Sequence, residues 1–111
     1  MIPSGHDYPA LISDRVIHER ARLLIVSYLA ANDEQQVPFM EVQKAMDLSR
    51  GNLSIQLKTL EEAAYVAIEK RFVGKKPQTL ISLTEKGRTA IKQYLDEMDA
   101  VLKKLRVEAP G

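Results

Sequence analysis

The chain has 111 residues, 45% hydrophobic and 28% charged, with 16 Lys and Arg against 15 Asp and Glu for a net charge of +1. That length suits one domain with a modest core, better stabilised if an oligomer buries more surface, and the near-neutral balance excludes a uniformly cationic coat. With no cysteine, disulfides and thiolate metal sites are excluded; with no apolar run of about 18 residues and no charged-then-apolar leader, the expectation is a cytoplasmic protein without a membrane span or signal peptide.

Residues 1–12, with Pro3, Gly5, Pro9 and no periodicity, are expected to form a flexible arm ahead of a single domain over 13–106, with a short tail at 107–111. From Ser13 or Asp14 a long helix is predicted to run to about Ala31. Its apolar residues occupy two faces: Ile17, Ala21, Leu24 and Tyr28 on one, Val26 and Leu29 with Ile25 between them on the other. A helix apolar nearly all round is buried on both sides, and a chain this small has little left to cover the second, which points to a partner subunit. Ala31 to Gln36 reads as a polar loop.

Phe39, Val42 and Met46 then recur at helical spacing behind Pro38, a residue tolerated in a first helical turn. Asp47-Leu48-Ser49 breaks the period: Asp accepts a left-handed backbone, Leu48 can plug a corner, and Ser49 is a good N-cap. A second short helix should start at Arg50 and run to about residue 63, with Leu53, Leu57 and Leu60 in one apolar stripe. Its opposite face, with Gly51, Asn52, Ile55, Lys58 and Thr59, carries no acidic side chain from Arg50 to Leu60. This is a helix-turn-helix pattern, and such a second helix suits a DNA major groove, where amides and small polar groups read base edges and Lys or Arg neutralise phosphates. Taken alone, the pattern also fits a helical hairpin within a core.

Val66 and Ile68 alternate with Ala67 and Glu69 as a short strand, and Thr79 to Leu83 make a second. Between them Arg71–Gln78 reads as a loop punctuated by Gly74 and Pro77 and bearing Arg71, Lys75 and Lys76. Such a cationic tip is either an exposed turn kept soluble by lysines or a wing, about residues 71–79, that reaches a phosphate backbone or minor groove. From residue 50 to 92 there are nine basic and four acidic residues, a local balance of +5 that leaves −4 for the remainder, which suits a basic binding face on a neutral body.

Thr84 should cap a last helix, with Gly87 where a capping box would place Glu. In it Ile91, Leu95, Met98, Leu102 and Leu105 form a heptad seam of about two heptads, widened by Tyr94 and Val101. Packed against the spare face of the first helix, this seam would make a four-helix homodimer interface; the alternative is a helix folding back on its own domain.

The order of elements resembles the small stand-alone winged helix-turn-helix transcriptional regulators of the MarR and ArsR type. The stretches IHERARLLIVSYLA, LSRGNLSIQLKTLEEAAYV and GKKPQTLISLTEKGR carry the resemblance, which covers roughly residues 14 to 105. It implies a mainly α chain with a small β-hairpin (α+β), in the order α-α-α-β-β-α. It also implies that Asn52, Ser54, Ile55 and Gln56 face the major groove, that Arg50 and Lys58 meet phosphates, and that Lys75 and Lys76, with Arg71 beside them, make the wing contact. Ile17, Ala21, Leu24, Tyr28, Ile91, Leu95, Met98, Leu102 and Leu105 would line the dimer interface, and Arg22 would be a structural ion-pairing residue. Two positions depart from the pattern. Ala64 stands where glycine usually ends the recognition helix in a left-handed conformation, and Ile55 stands where a polar or basic residue is common, so that its contact would be apolar, against a thymine methyl, or absent.

Nothing in the sequence supports catalysis: there is no G-x-S-x-G, no phosphate-cradling glycine loop, and His6 and His18 lack carboxylate and nucleophile partners, so no cofactor, metal or enzymatic activity is expected. An effector would have to bind at the dimer cleft, and the sequence names none. The expectation is a homodimeric regulator on double-stranded DNA; the alternative is a winged helix used for protein–protein interaction or assembly without specific DNA binding.

Overall fold

The computed structural model describes residues 13–32 and 36–108. The expected arm, residues 33–35 of the polar loop and residues 109–111 of the expected tail lie outside the described residues. Helix α1 (Arg20–Ala31) leads to strand β1 (Val37–Pro38), helices α2 (Phe39–Met46) and α3 (Arg50–Glu62), strands β2 (Val66–Val73) and β3 (Lys76–Leu83), and helix α4 (Glu85–Glu108). The tail expected from residue 107 therefore begins inside α4.

The first helix starts later than periodicity predicts, because two carboxylates cap the chain in succession. Asp14 Oδ1 accepts the N–H of Ile17 at 3.0 Å, closing a single turn over residues 15–18. Glu19 is then extended (φ −101°, ψ 136°), and its carboxylate accepts the N–H groups of Ala21 and Arg22, both at 3.1 Å. Helix α1 begins behind that cap.

The corner between α2 and α3 is as expected. Asp47 is left-handed (φ 53°, ψ 46°), Asp47 N–H donates to the Lys44 carbonyl and Leu48 N–H to that of Gln43, a Schellman ending, and Ser49 Oγ accepts the Asn52 N–H at 3.1 Å. Helix α3 ends the same way. Ala64 sits at φ 64°, with its N–H on the Glu61 carbonyl and the Tyr65 N–H on that of Leu60. Alanine thus occupies the left-handed position that glycine fills without steric cost.

The sheet differs from the expected hairpin in two ways. It has three antiparallel strands in the order β1-β3-β2, because Val37 and Pro38 pair with Ile81 and Leu80. A two-residue strand shows no alternation, and proline is tolerated in it because it lies at the sheet edge. The β2–β3 register also runs unbroken from Val66↔Leu83 to Val73↔Lys76, so most of the expected 71–78 loop is strand and the turn is Gly74-Lys75 alone. Gly74, at φ 65°, is the first central residue of this tight turn, as a type II′ hairpin requires.

Helix α4 is joined to the end of α3. Thr84 Oγ1 accepts the Gly87 N–H at 2.9 Å and donates to the Ala64 carbonyl at 2.6 Å, and the Tyr65 carbonyl accepts the Thr84 N–H at 3.1 Å. A Cβ on Gly87 would lie 2.2 Å from that Tyr65 oxygen, which is why glycine replaces the glutamate of a capping box. The core gathers Ile25, Val26 and Leu29 of α1, Leu53, Leu57 and Leu60 of α3, Val66 and Ile81 of the sheet, and Ile91, Tyr94 and Val101 of α4. Among the described residues no helix is long and apolar enough to cross a membrane.

Candidate nucleic-acid interface

Burying Leu53, Leu57 and Leu60 turns the other side of α3 outward. Arg50, Asn52, Ser54, Ile55 and Lys58 are all exposed, Ile55 at 66%. The Arg50 guanidinium lies 5.7 Å from the Phe39 ring centroid, a cation–π contact that holds it at the start of the helix.

Gln56 is placed differently from its neighbours. It is half-buried, and both ends of its amide are engaged: Oε1 accepts from Arg22 Nη1 at 2.9 Å, and Nε2 donates to Asn52 Oδ1 at 3.2 Å. Arg22 in turn donates through Nε to the Val16 carbonyl at 2.7 Å and lies 3.7 Å from the Glu19 carboxylate. The Gln56 amide, expected to face the major groove, is thus engaged within the chain, where it hydrogen-bonds the Asn52 side chain and joins it to Arg22. Arg22 has the structural role expected of it. Its other contribution, through Gln56 to α3, has no local sequence signal, since the two lie 34 positions apart.

Between α3 and the β-ribbon runs a groove of about 760 Å³ that includes Arg50, Ser54 and Lys58 on one wall and Ile68, Lys70, Pro77 and Thr79 on the other. Three cations and the single carboxylate of Glu61 border it. Alternation along the ribbon puts Lys70, Phe72, Pro77 and Thr79 on the face shared with Ile68 and Ile81, and Arg71 and Lys76 on the opposite face, with Lys75 in the turn. Of the expected wing residues, then, Arg71 and Lys76 lie on the ribbon face away from the groove. Lys70, not among the expected contacts, lies on the groove side. Continuing the Val66–Ile68 alternation by one step finds it.

The expected dimer residues divide. Ile17 and Ile91 are corrected: both are buried in the chain's own core. Helix α4 packs inward through Ile91, Tyr94, Met98, Val101 and Leu105, a 3-4-3-4 line, so Tyr94 and Val101 lie at the centre of the packed seam rather than at its margin. Ala21 and Tyr28 are half-buried. Leu24, Leu95 and Leu102 remain exposed, Leu95 at 56%.

Side-chain hydrogen bonds tie the N-terminal segment to the rest: the Glu97 carboxylate accepts the Ser13 N–H at 3.0 Å and the Ser13 hydroxyl at 2.9 Å. Tyr65 Oη donates to Asp14 Oδ2 at 2.6 Å; burial first, then this bond and the Asp14 charge, pushes the phenol up to about 12. His18 Nδ1 and Tyr94 Oη lie 3.0 Å apart, and burial raises the Tyr94 phenol as well. Among the described residues no group of three or more His, Cys, Asp or Glu side chains is placed to hold a metal ion.

Comparison with known proteins places this geometry. A family model described as a winged helix DNA-binding domain matches residues 21–102. An uncharacterized protein of Methanocaldococcus jannaschii is 37% identical over 60 residues, 54% of this chain and 65% of that protein, so the match spans less than two thirds of the relative. The solved structure of a transcriptional regulator homologue from Pyrococcus horikoshii OT3 superposes with a TM-score of 0.79 at 26% identity, covering 90% of this chain and 97% of that one. A MarR family transcriptional regulator from Streptomyces coelicolor, solved in complex with DNA, superposes at 0.66 with 19% identity, over 95% of this chain and 71% of that one.

Proposed function

The chain belongs to the winged helix DNA-binding family and has the fold of MarR-type regulators, which are not enzymes, and on that premise we propose that it is a cytoplasmic transcriptional regulator that binds a pseudo-palindromic operator as a homodimer. The observation that carries this reading is the outer face of α3, free of acidic side chains from Arg50 to Leu60 and held outward by its buried leucine stripe, with the Asn52 side chain hydrogen-bonded to Gln56 and through it to Arg22. In the major groove, Asn52 has the amide needed for an adenine edge, Ser54 a hydroxyl, and Ile55 an apolar surface for a thymine methyl. Arg50, Lys58 and Lys70 meet phosphates along the groove, and Lys75 and Lys76 meet the flanking backbone or minor groove. The exposed Leu24, Leu95 and Leu102 are the apolar surface a second copy would cover, setting two recognition helices about one helical turn, roughly 34 Å, apart. An effector, if the protein uses one, would enter between the α1 and α4 helices of the two copies. The Streptomyces regulator, which shares this fold and was solved in complex with DNA, supports DNA binding here.

A second reading, an assembly module without specific DNA binding, draws on the exposure of Ile55 and Met40 on the α2–α3 face. A mobility shift on random duplex at low and high salt separates the two. Binding at low salt that weakens steeply as salt rises is the expected result, with a flatter slope when Lys75 and Lys76 are both alanine. No shift at low salt would sink the regulator reading. Selection from a random duplex pool then gives the operator, and sedimentation of the free and bound protein gives the number of copies.

A further inference from the structure

We propose that the wing carries an apolar wedge, Phe72 backed by Pro77, that enters a flexible base step in the minor groove beside the site taken by α3. The inference rests on the DNA-binding reading above and deepens it. Phe72 is 73% exposed and Val73, beside the turn, 57%. A hairpin tip that needed only to stay soluble would not hold a phenylalanine in water, since its lysines suffice.

Phe72 pairs directly with Pro77 across the ribbon, on the face that carries Lys70 and Thr79 and continues the groove wall opposite Arg50 and Lys58. From Ile68, at the sheet body, to Gly74 there are six steps, so at about 3.3 Å each the tip reaches roughly 20 Å outward, enough to pass from a major groove to the adjoining minor groove. Proline fixes its own φ and the type II′ turn at Gly74 closes the tip, so the wedge is presented by a short, stiff hairpin.

Charge identifies the occupant. From Lys70 to Leu83 the sequence has Lys70, Arg71, Lys75 and Lys76 and no acidic residue. A second copy of the same tip would be repelled, whereas an apolar ring among four cations matches a base step framed by phosphates. Arg71 and Lys76, facing away from the groove, would then grip phosphates on the far side of the inserted ring. The wedge also predicts which DNA the wing selects. A purely cationic wing favours the narrow minor groove of a stiff A-tract, while an inserted ring favours a pyrimidine–purine step such as TA, which unstacks readily.

The test uses duplexes enriched from a random pool by the wild-type protein, identical where α3 binds and carrying either TA steps or an A-tract in the flank, with dyes at both ends. The wild type should bind the TA-flanked duplex about tenfold more tightly and shorten its end-to-end distance. Phe72→Ala should lose both the preference and the bend with its salt slope unchanged, because an apolar contact releases no counterions, and Phe72→Leu should keep most of both. Changing Lys75 and Lys76 to alanine should flatten the slope and leave the TA preference. The side chain being exposed, far-UV circular dichroism and the melting temperature of Phe72→Ala should match the wild type. Equal behaviour of Phe72→Ala and wild type on both flanks would overturn the wedge while leaving DNA binding intact, as would a wild-type preference for the A-tract. Stronger Phe72-dependent binding to phosphatidylserine vesicles than to duplex would overturn it in favour of a membrane contact. Failure of the wild type to bind any duplex at low salt would overturn the DNA reading itself, and the wedge with it.

Discussion

Replacing Arg22 by methionine should relax sequence recognition without touching DNA. The Arg22 side chain is 19% exposed, and its guanidinium donates to the Val16 carbonyl at 2.7 Å and to Gln56 Oε1 at 2.9 Å. Methionine keeps the apolar stem and much of the volume but makes neither bond. Two hydrogen bonds from a charged donor are worth about 1.5–3 kcal/mol each, partly offset by relief of the desolvated charge, so a net loss of about 2 kcal/mol is expected. For a chain of this size that corresponds to a melting temperature lower by roughly 10 °C. Gln56, released from Arg22, no longer holds the Asn52 amide in one orientation. Since a well-placed bidentate contact discriminates by about 1–3 kcal/mol, discrimination at the base read by Asn52 should fall on the order of tenfold. Affinity for random duplex at low salt and the salt slope should not change, because no phosphate contact is lost. The assay is a double-mutant cycle of Arg22→Met and Asn52→Ala, scored by binding to the selected duplex and to versions changed at single positions. Strict additivity of the two substitutions would refute the coupling through Gln56.

Other expectations follow from single positions. Ala64→Gly should leave the melting temperature unchanged or raise it slightly, since relief of about 1 kcal/mol of left-handed strain at φ 64° is set against a similar gain in unfolded-chain entropy; a clear drop would show that the Ala64 methyl packs in a way the backbone does not reveal. Gly87→Ala should destabilise by about 2 kcal/mol in thermal melts, because a Cβ 2.2 Å from the Tyr65 oxygen and 2.7 Å from Leu83 Cδ1 forces the α3–α4 junction apart by more than the helix propensity of alanine returns. An unchanged melting temperature would refute that close approach. Glu19→Gln tests the cap of α1 through pH. Burial raises the Glu19 carboxyl, but the Ala21 and Arg22 N–H groups and the Arg22 charge outweigh it and hold the carboxyl below its ordinary 4.5. A depressed folded value contributes stability above the unfolded value and loses it as pH falls through the folded one. The wild type should therefore be the more stable protein at neutral pH, with the gap closing only below pH 4.5; a gap constant down to pH 3 would refute the charge's part in the cap.

Much of the architecture could be read in the chain because it is local chemistry. Asp47 turns left-handed and Ser49 caps α3 because their side chains and backbones permit those states irrespective of what surrounds them. The leucine stripe of α3 is likewise stated by its spacing, whereas the left-handed turn at Ala64 is implied by the family resemblance, which places glycine there. Where the chain departs from its periodicity, the cause is a competing interaction. The first helix begins only after Glu19 because the Glu19 backbone is extended and its carboxylate accepts the N–H groups of Ala21 and Arg22 in place of the carbonyls of a preceding turn.

What only the tertiary structure decided is which of several equivalent side chains faces inward. Ile91, Leu95, Met98, Leu102 and Leu105 are alike as a heptad seam, yet α4 packs into the core along Ile91, Tyr94, Met98, Val101 and Leu105, which leaves Leu95 and Leu102 outside. Tyr94 and Val101 complete a stripe of the same period, and its choice over the heptad seam depends on where α1 lies. Gln56 looks like a base reader in the sequence and becomes a positioning residue only because Arg22, 34 residues earlier, comes within 2.9 Å. The ribbon's faces were settled by the Val66↔Leu83 register, which carries alternation past the last core residue and turns Lys70 and Phe72 toward the groove. Caps, turns and periods are properties of a few adjacent residues and are written in the sequence; the identity of the buried face, the partner of a distant arginine and the direction of a wing depend on packing between segments, and exist only once the chain has closed on itself.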